Sequence, residues 1–163
     1  MLPVTEREIR ACFVNATLRE RNNIVLPTGF DAIDWDAIDY LGWLDRKYDG
    51  IAYVVVQLQG QPVGILLRRA EARSRRMSQC SWCEDVHLPN DVAFYSAKRA
   101  GKAGRNGDTI GTLVCEAFQC SANVRRRDPA PYAGFDVEAA RSQRMESLRV
   151  NVAAFATRVI HDN

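Results

Sequence analysis

Cys80-Ser-Trp-Cys83 and Cys115-Glu-Ala-Phe-Gln-Cys120 decide how this sequence is read. The pairs are spaced C-x2-C and C-x4-C, with 31 residues between them. Zinc takes four ligands at tetrahedral corners, and close pairs of cysteines let the backbone turn around one ion. The first pair reads as a knuckle. The second begins at the end of a strand, and Cys115 and Cys120 are expected on the first turns of a helix, whose free N–H groups favour thiolates. Two strands and a loop fit between the pairs. Knuckle, hairpin and helix in that order predict a treble-clef finger with one structural Zn2+ on Cys80, Cys83, Cys115 and Cys120.

Other readings of these cysteines explain less. A thioredoxin-like redox pair would use Cys80 and Cys83 and leave the second pair idle. A zinc deaminase needs a ligand beside a catalytic glutamate, a pattern this sequence lacks. His87 could replace one thiol, but four cysteines already fill a closed site, whereas a catalytic zinc keeps one position open. With two histidines, no Ser–His–acid set and no phosphate-loop lysine motif, no enzyme chemistry and no small-molecule substrate are expected.

Outward from the cysteines, Ile51 to Gln59 and Pro62 to Arg69 read as a hairpin turning at Gly60-Gln61. The unbroken run Val54–Val56 suggests a strand covered on both faces. Asp91 to Lys98 and Thr109 to Val114 are two further strands, separated by the basic, glycine-rich segment from Arg99 to Gly107. Thr5 with Glu8 forms a capping box. Ile9, Cys12, Phe13 and Ala16 continue at helical spacing until Asn22-Asn23, so one helix is expected, with Cys12 as a core residue. Asp34 is expected to cap a short helix before a turn at Gly42. Asp136 caps a long C-terminal helix, about 137–160, whose stripe Met145, Leu148, Val152, Phe155 and Val159 is expected to pack on the chain's own core. The fold class is therefore α+β: a leading helix, a mixed but mostly antiparallel sheet, the finger at its edge, and the long helix. A single domain over 1–163 is expected, with a zinc-finger subdomain at about 76–128.

The chain of 163 residues carries a net charge of +2, unevenly spread: residues 1–60 sum to −3 and residues 61–163 to +5. A tetrathiolate zinc absorbs part of that excess, and the remainder suits an acidic partner. No apolar run reaches the roughly 18 residues of a membrane span. The N-terminus is polar and charged within a few residues, and five cysteines are too odd a number for a disulfide framework. A cytoplasmic protein without membrane contact is expected.

Tyr40-Leu-Gly-Trp43, Cys80-Ser-Trp-Cys83, Arg99-Ala-Gly-Lys-Ala-Gly-Arg105, Gly111-Thr with Cys115, and Cys120-Ser with Val124-Arg125 resemble one family. It is the elongation factor G-binding proteins of the fusidic acid resistance type, in their C-terminal treble-clef zinc-finger domain, over about residues 5–160. The resemblance implies binding of elongation factor G through the zinc-finger part and help in releasing the factor from stalled ribosomes, with no bond change. The expected partner-binding residues are Lys98, Arg99, Lys102, Arg105 and Arg125, with the aromatic neighbours Trp82 and Phe94. A zinc finger carrying arginines also suits direct contact with ribosome or RNA, and that alternative stays open.

Overall fold

A computed structural model describes residues 1–71, 78–85 and 88–161. The expectation for His87, and most of the basic stretch before the first cysteine pair, lie outside the described residues. The hairpin is β2 (Ile51–Leu58) and β3 (Gln61–Arg69), flanked by β1 (Leu41–Leu44) on one side and by β4 (Val92–Lys98) and β5 (Thr109–Cys115) on the other. Strand order follows chain order, and every neighbouring pair is antiparallel. The expected mixed character shrinks to one parallel bridge between Phe13 and Gly64. The β2–β3 turn is Gln59-Gly60, one residue earlier than expected. Both residues have positive φ, the twist that a two-residue hairpin loop requires.

The central strands are buried on both faces, as the run Val54–Val56 implied. Ala52, Val54, Val56, Ile65 and Leu67 face the cysteine cluster and α5 (Val137–Ile160), while Tyr53, Val55 and Leu66 face the N-terminal segment. On α5, Leu148, Val152, Phe155 and Val159 are buried and Met145 is half-buried against the same core, so the stripe packs within the chain. Asp136 caps the helix through a 2.8 Å bond accepted from Ala139 N.

The N-terminal helix differs from its expectation. It breaks after α1 (Glu6–Cys12) and restarts as α2 (Leu18–Asn22) behind a second capping box, Thr17 with Glu20. Tertiary pairing explains the break. Val14 N donates to Gly64 O at 2.9 Å, and the Asn15 amide bonds Leu66 N, Leu66 O and Lys98 O. The chain thus becomes an extra, short partner of β3 where the periodicity alone would carry a helix onward. Cys12 sits on the apolar side as expected; its thiol donates to Ile9 O, and burial pushes its pKa up to about 11.

Gly42 does not turn the chain. It lies within β1, where a Cβ would stand 2.6 Å from the Phe118 side chain, so the glycine admits that ring against the strand. The turn follows at Asp45, whose carboxylate accepts from Lys47 N, Tyr48 N and, at 2.5 Å, the Tyr53 hydroxyl. Burial opposes ionisation of Asp45, but these hydrogen bonds, led by Tyr53, hold its pKa below the ordinary carboxylate value. A depressed folded-state pKa contributes stability above the unfolded value of about 4 and loses it as pH falls through the folded value. Tyr53→Phe is expected to cost about 1.5–3 kcal/mol at pH 7, the worth of a hydrogen bond to a charged group. Denaturant titrations of both proteins should show that difference narrowing as pH falls below the unfolded value of about 4 and Asp45 becomes protonated.

Candidate metal centre

The hairpin β4–β5 carries the cysteines to one point. Cys80 and Cys83 form a knuckle held to β5 by Ser81 N on Leu113 O at 2.8 Å. Cys115 ends β5, and Cys120 opens the short helix α4 (Cys120–Val124). Cys115 is thus on a strand, where a helical turn had been expected. Between the second pair, Phe118 takes a positive φ of 60° and turns the chain back toward the knuckle.

The four Sγ atoms lie within 4.8 Å of one another, and all four residues are buried. Cys80 and Cys120 stand 3.6 Å apart, Cys83 and Cys115 3.7 Å. Ligands about 2.3 Å from a tetrahedral zinc lie about 3.8 Å from each other, so the cluster fits that ion. Thiols this close cannot titrate independently. Hydrogen bonds from Cys115, Cys120 and Cys83 pull Cys80 toward the thiolate, and a bond from Cys120 pulls Cys115 the same way. Cys83 and Cys120 are pushed the other way, chiefly by Cys115. A divalent cation removes that conflict by stabilising all four as thiolates.

The surroundings also suit thiolates. Trp82 N and Cys83 N point at Cys80 Sγ from 3.4 and 3.5 Å, and the Asn123 amide reaches Cys115 Sγ at 3.4 Å. Asn123 is oriented in turn by Asn90 Oδ1 at 2.9 Å. Burial and then the Cys120 charge keep the Tyr40 phenol protonated, well above its ordinary pKa. Donors aimed at ligand atoms fix their orientation and temper their charge. Nothing in the cysteine spacing named Asn123 or Tyr40, although Asn123 sits one helical turn after Cys120.

A family model for the FBP C-terminal treble-clef zinc-finger matches residues 8–159. The chain belongs to this family. Its zinc is structural, since four buried cysteines complete the coordination. Among solved structures, the fusidic acid resistance protein FusC is similar at 23% identity with a TM-score of 0.49. That match covers 64% of this chain and 47% of the FusC chain. No curated protein matches the sequence.

The expected partner-binding residues do not share one surface. Trp82 is 1% exposed and lies in the core, edge-on to Tyr40 and against Phe118 and Phe155. It is a packing residue, because the knuckle's ring points inward onto α5. Arg125 turns to Asp39, a carboxylate 1% exposed that also takes Arg149 Nε at 2.9 Å. The Asp39 backbone N–H donates to Ser121 Oγ, so this ion cluster ties the segment before β1 to α4 and α5. Asp39 and Arg149 were not foreseen, because they lie 110 residues apart in the chain. Arg99 donates to the carbonyls of Arg158 and His161, capping the end of α5.

Lys98, Lys102, Arg105 and Phe94 remain exposed. Arg99, Lys102 and Arg105 follow β4 on and beside the short helix α3 (Gly101–Arg105), which replaces the loop expected there. This end of the hairpin is distant from the metal. Six residue steps along β4 separate Val92, paired with Cys115, from Lys98, paired with Thr109. At about 3.4 Å per residue the separation is roughly 20 Å. The basic cluster and the arginines after α4 therefore occupy opposite ends of β4–β5.

Proposed function

We propose that this chain is a non-catalytic, cytoplasmic protein that binds elongation factor G and modulates the factor's residence on the ribosome. Support comes from membership of the FBP C-terminal treble-clef zinc-finger family, together with the resemblance of its quoted motifs to elongation factor G-binding proteins. The observation that carries the choice of surface is the exposed group Lys98, Lys102 and Arg105 at the far end of a hairpin whose base the zinc fixes. Among the described residues no helix is long and apolar enough to cross a membrane. Binding one conformation of the factor better than another would shift its ribosome occupancy without any covalent step.

Purified elongation factor G, titrated against the zinc-loaded chain, tests this reading. The triple change Lys98→Glu, Lys102→Glu and Arg105→Glu should weaken binding by at least about tenfold, because like charges facing each other cost several kcal/mol. Arg99 is left intact in this variant, since it caps α5. Unchanged affinity would remove the surface; no binding by the unaltered chain would remove the partner.

A direct RNA or ribosome contact is the second reading, favoured by Phe94. Its ring is 45% exposed and lies over Gly111, with Lys98 four residues along the same strand. An exposed aromatic beside cations can stack a base. A steep loss of RNA affinity with added salt would favour this reading.

A further inference from the structure

Where the N-terminal segment stops covering the sheet, it leaves a cleft of about 560 Å³. One wall is the stretch from Val14 to Glu20, and the other is formed by Lys98, Arg99 and the glycine-rich helix α3. Leu66 and Val14 give the cleft an apolar lining. Asn15 pins the two walls together by bonding Leu66 and Lys98 backbone groups, so the cleft is pre-formed. Its volume falls within the range of small-molecule sites.

The charge of the cleft is one-sided. Arg68, Lys98, Arg99 and Arg105 line it against a single carboxylate, Glu20. Glu20 is held by its capping box and by Arg68 at 3.3 Å. Burial opposes its ionisation, but the Thr17 hydrogen bonds and the nearby Arg68 and Lys98 charges lower its pKa, so it stays ionised and cancels one cation of the four. Arg99 is tied to the end of α5 and contributes its charge without leaving that post. Neither Lys98 nor Arg105 makes an ion pair among the described residues. Gly104 is obligatory here, since a Cβ would lie 1.8 Å from Arg99 O. That close turn lets Arg105 line the cleft alongside Lys98.

We infer that this cleft binds a small phosphate monoester, whose dianion sits between Lys98 and Arg105 and whose organic part lies on Val14 and Leu66. A phosphate monoester carries about −1.5 to −2 at neutral pH, which matches the excess of three cations better than a single aspartate or glutamate side chain does. Arginine's planar fork suits phosphate oxygens in particular. The ligand is bound and not transformed, so the site requires no nucleophile or acid–base pair. The cleft shares Lys98 and Arg105 with the proposed partner surface but not Lys102, which does not line it, so the two readings are told apart at Lys102.

Calorimetric titration of the zinc-loaded full chain in phosphate-free buffer tests the inference, with adenosine 5′-monophosphate, adenosine and a hexauridylate as probes. The monophosphate is expected to bind with a submillimolar Kd and adenosine at least tenfold more weakly. Arg105→Glu should weaken monophosphate binding at least tenfold, while Lys102→Glu leaves it within twofold. Thermal melts of both variants check that each is folded; Arg105→Ala serves if the reversal is not, with a loss of at least fivefold. No heat of binding at 5 mM monophosphate would overturn the assignment, as would equal losses from the Arg105 and Lys102 variants. Hexauridylate binding more than tenfold tighter than the monophosphate would also overturn it, by moving the cleft to nucleic-acid contact.

Discussion

Cys115→Ser is expected to lose the zinc and to lower the thermal midpoint by about 10–20 °C. The size follows from where the metal sits. Cys80, Cys83, Cys115 and Cys120 belong to the same buried cluster as Val54, Ile65, Leu67 and the apolar stripe of α5. Releasing the ion would leave buried thiols that repel or compete for protons inside that cluster. Structural zinc sites bind with apparent free energies of about 10–16 kcal/mol, comparable with the whole stability of a domain, so a serine that forfeits even a third of this is felt globally. Each kcal/mol moves the midpoint of a chain this long by about 2–4 °C. The measurement is metal content by mass spectrometry alongside a thermal melt, with and without a strong chelator. Cys12→Ser is the control, since its sulfur lies in the other cluster and donates only to Ile9 O. It should keep one zinc per chain. A Cys115→Ser protein that kept one zinc and an unchanged midpoint would separate the cysteines from the metal.

Features set by neighbours in the chain were legible before any coordinates. The cysteine spacing, the β-branched runs of β2 and β3, and the stripe of α5 each state their own structure, and each was read correctly. Much of what failed depended on residues distant in sequence, although the short helix α3 and the end of β5 at Cys115 were local. The α1 periodicity runs through Phe13 and Ala16, but pairing with Gly64 outcompetes the helix, and Thr17-Leu-Arg-Glu20 held a second start signal that the longer pattern concealed. Gly42 carried the composition of a turn, while its actual role is to admit Phe118 from 76 positions later. Arg125 was expected among the partner-binding residues because no local feature shows that the Asp39 carboxylate is buried against it. Trp82 misled for the same reason: a knuckle's aromatic is exposed in isolation, and Tyr40, Phe118 and Phe155 of α5 cover it. The pairing of β3 with β4 rests on two residue pairs, Arg68 with Ser96 and Arg69 with Tyr95, across a segment whose sequence specifies neither.

Phe155→Ala is expected to destabilise the protein by about 3–5 kcal/mol while leaving its zinc in place. The ring is 1% exposed and packs 5.5 Å, centroid to centroid, from Trp82 of the knuckle. One helical turn earlier the Asn151 amide holds Trp82 O at 3.0 Å, and beyond it Ala100 N donates to Val159 O. The long helix therefore bridges both ends of the zinc hairpin, and Phe155 is the apolar centre of that bridge. Its removal opens a cavity bordered by indole, and a buried indole cannot shift to fill the space without leaving Tyr40 and Phe118. The cysteine ligands themselves are untouched, so metal content should stay at one per chain while the near-ultraviolet signal of Trp82 changes. Val150→Ala, on the exposed side of the same helix at 57%, should cost under about 0.5 kcal/mol. Equal effects of the two substitutions in denaturant titrations would mean that α5 does not pack here in solution. The stripe from Leu148 to Val159 would then be an unpartnered face, and Arg99, which caps the helix end, would be released to the basic surface beside Lys98 and Arg105.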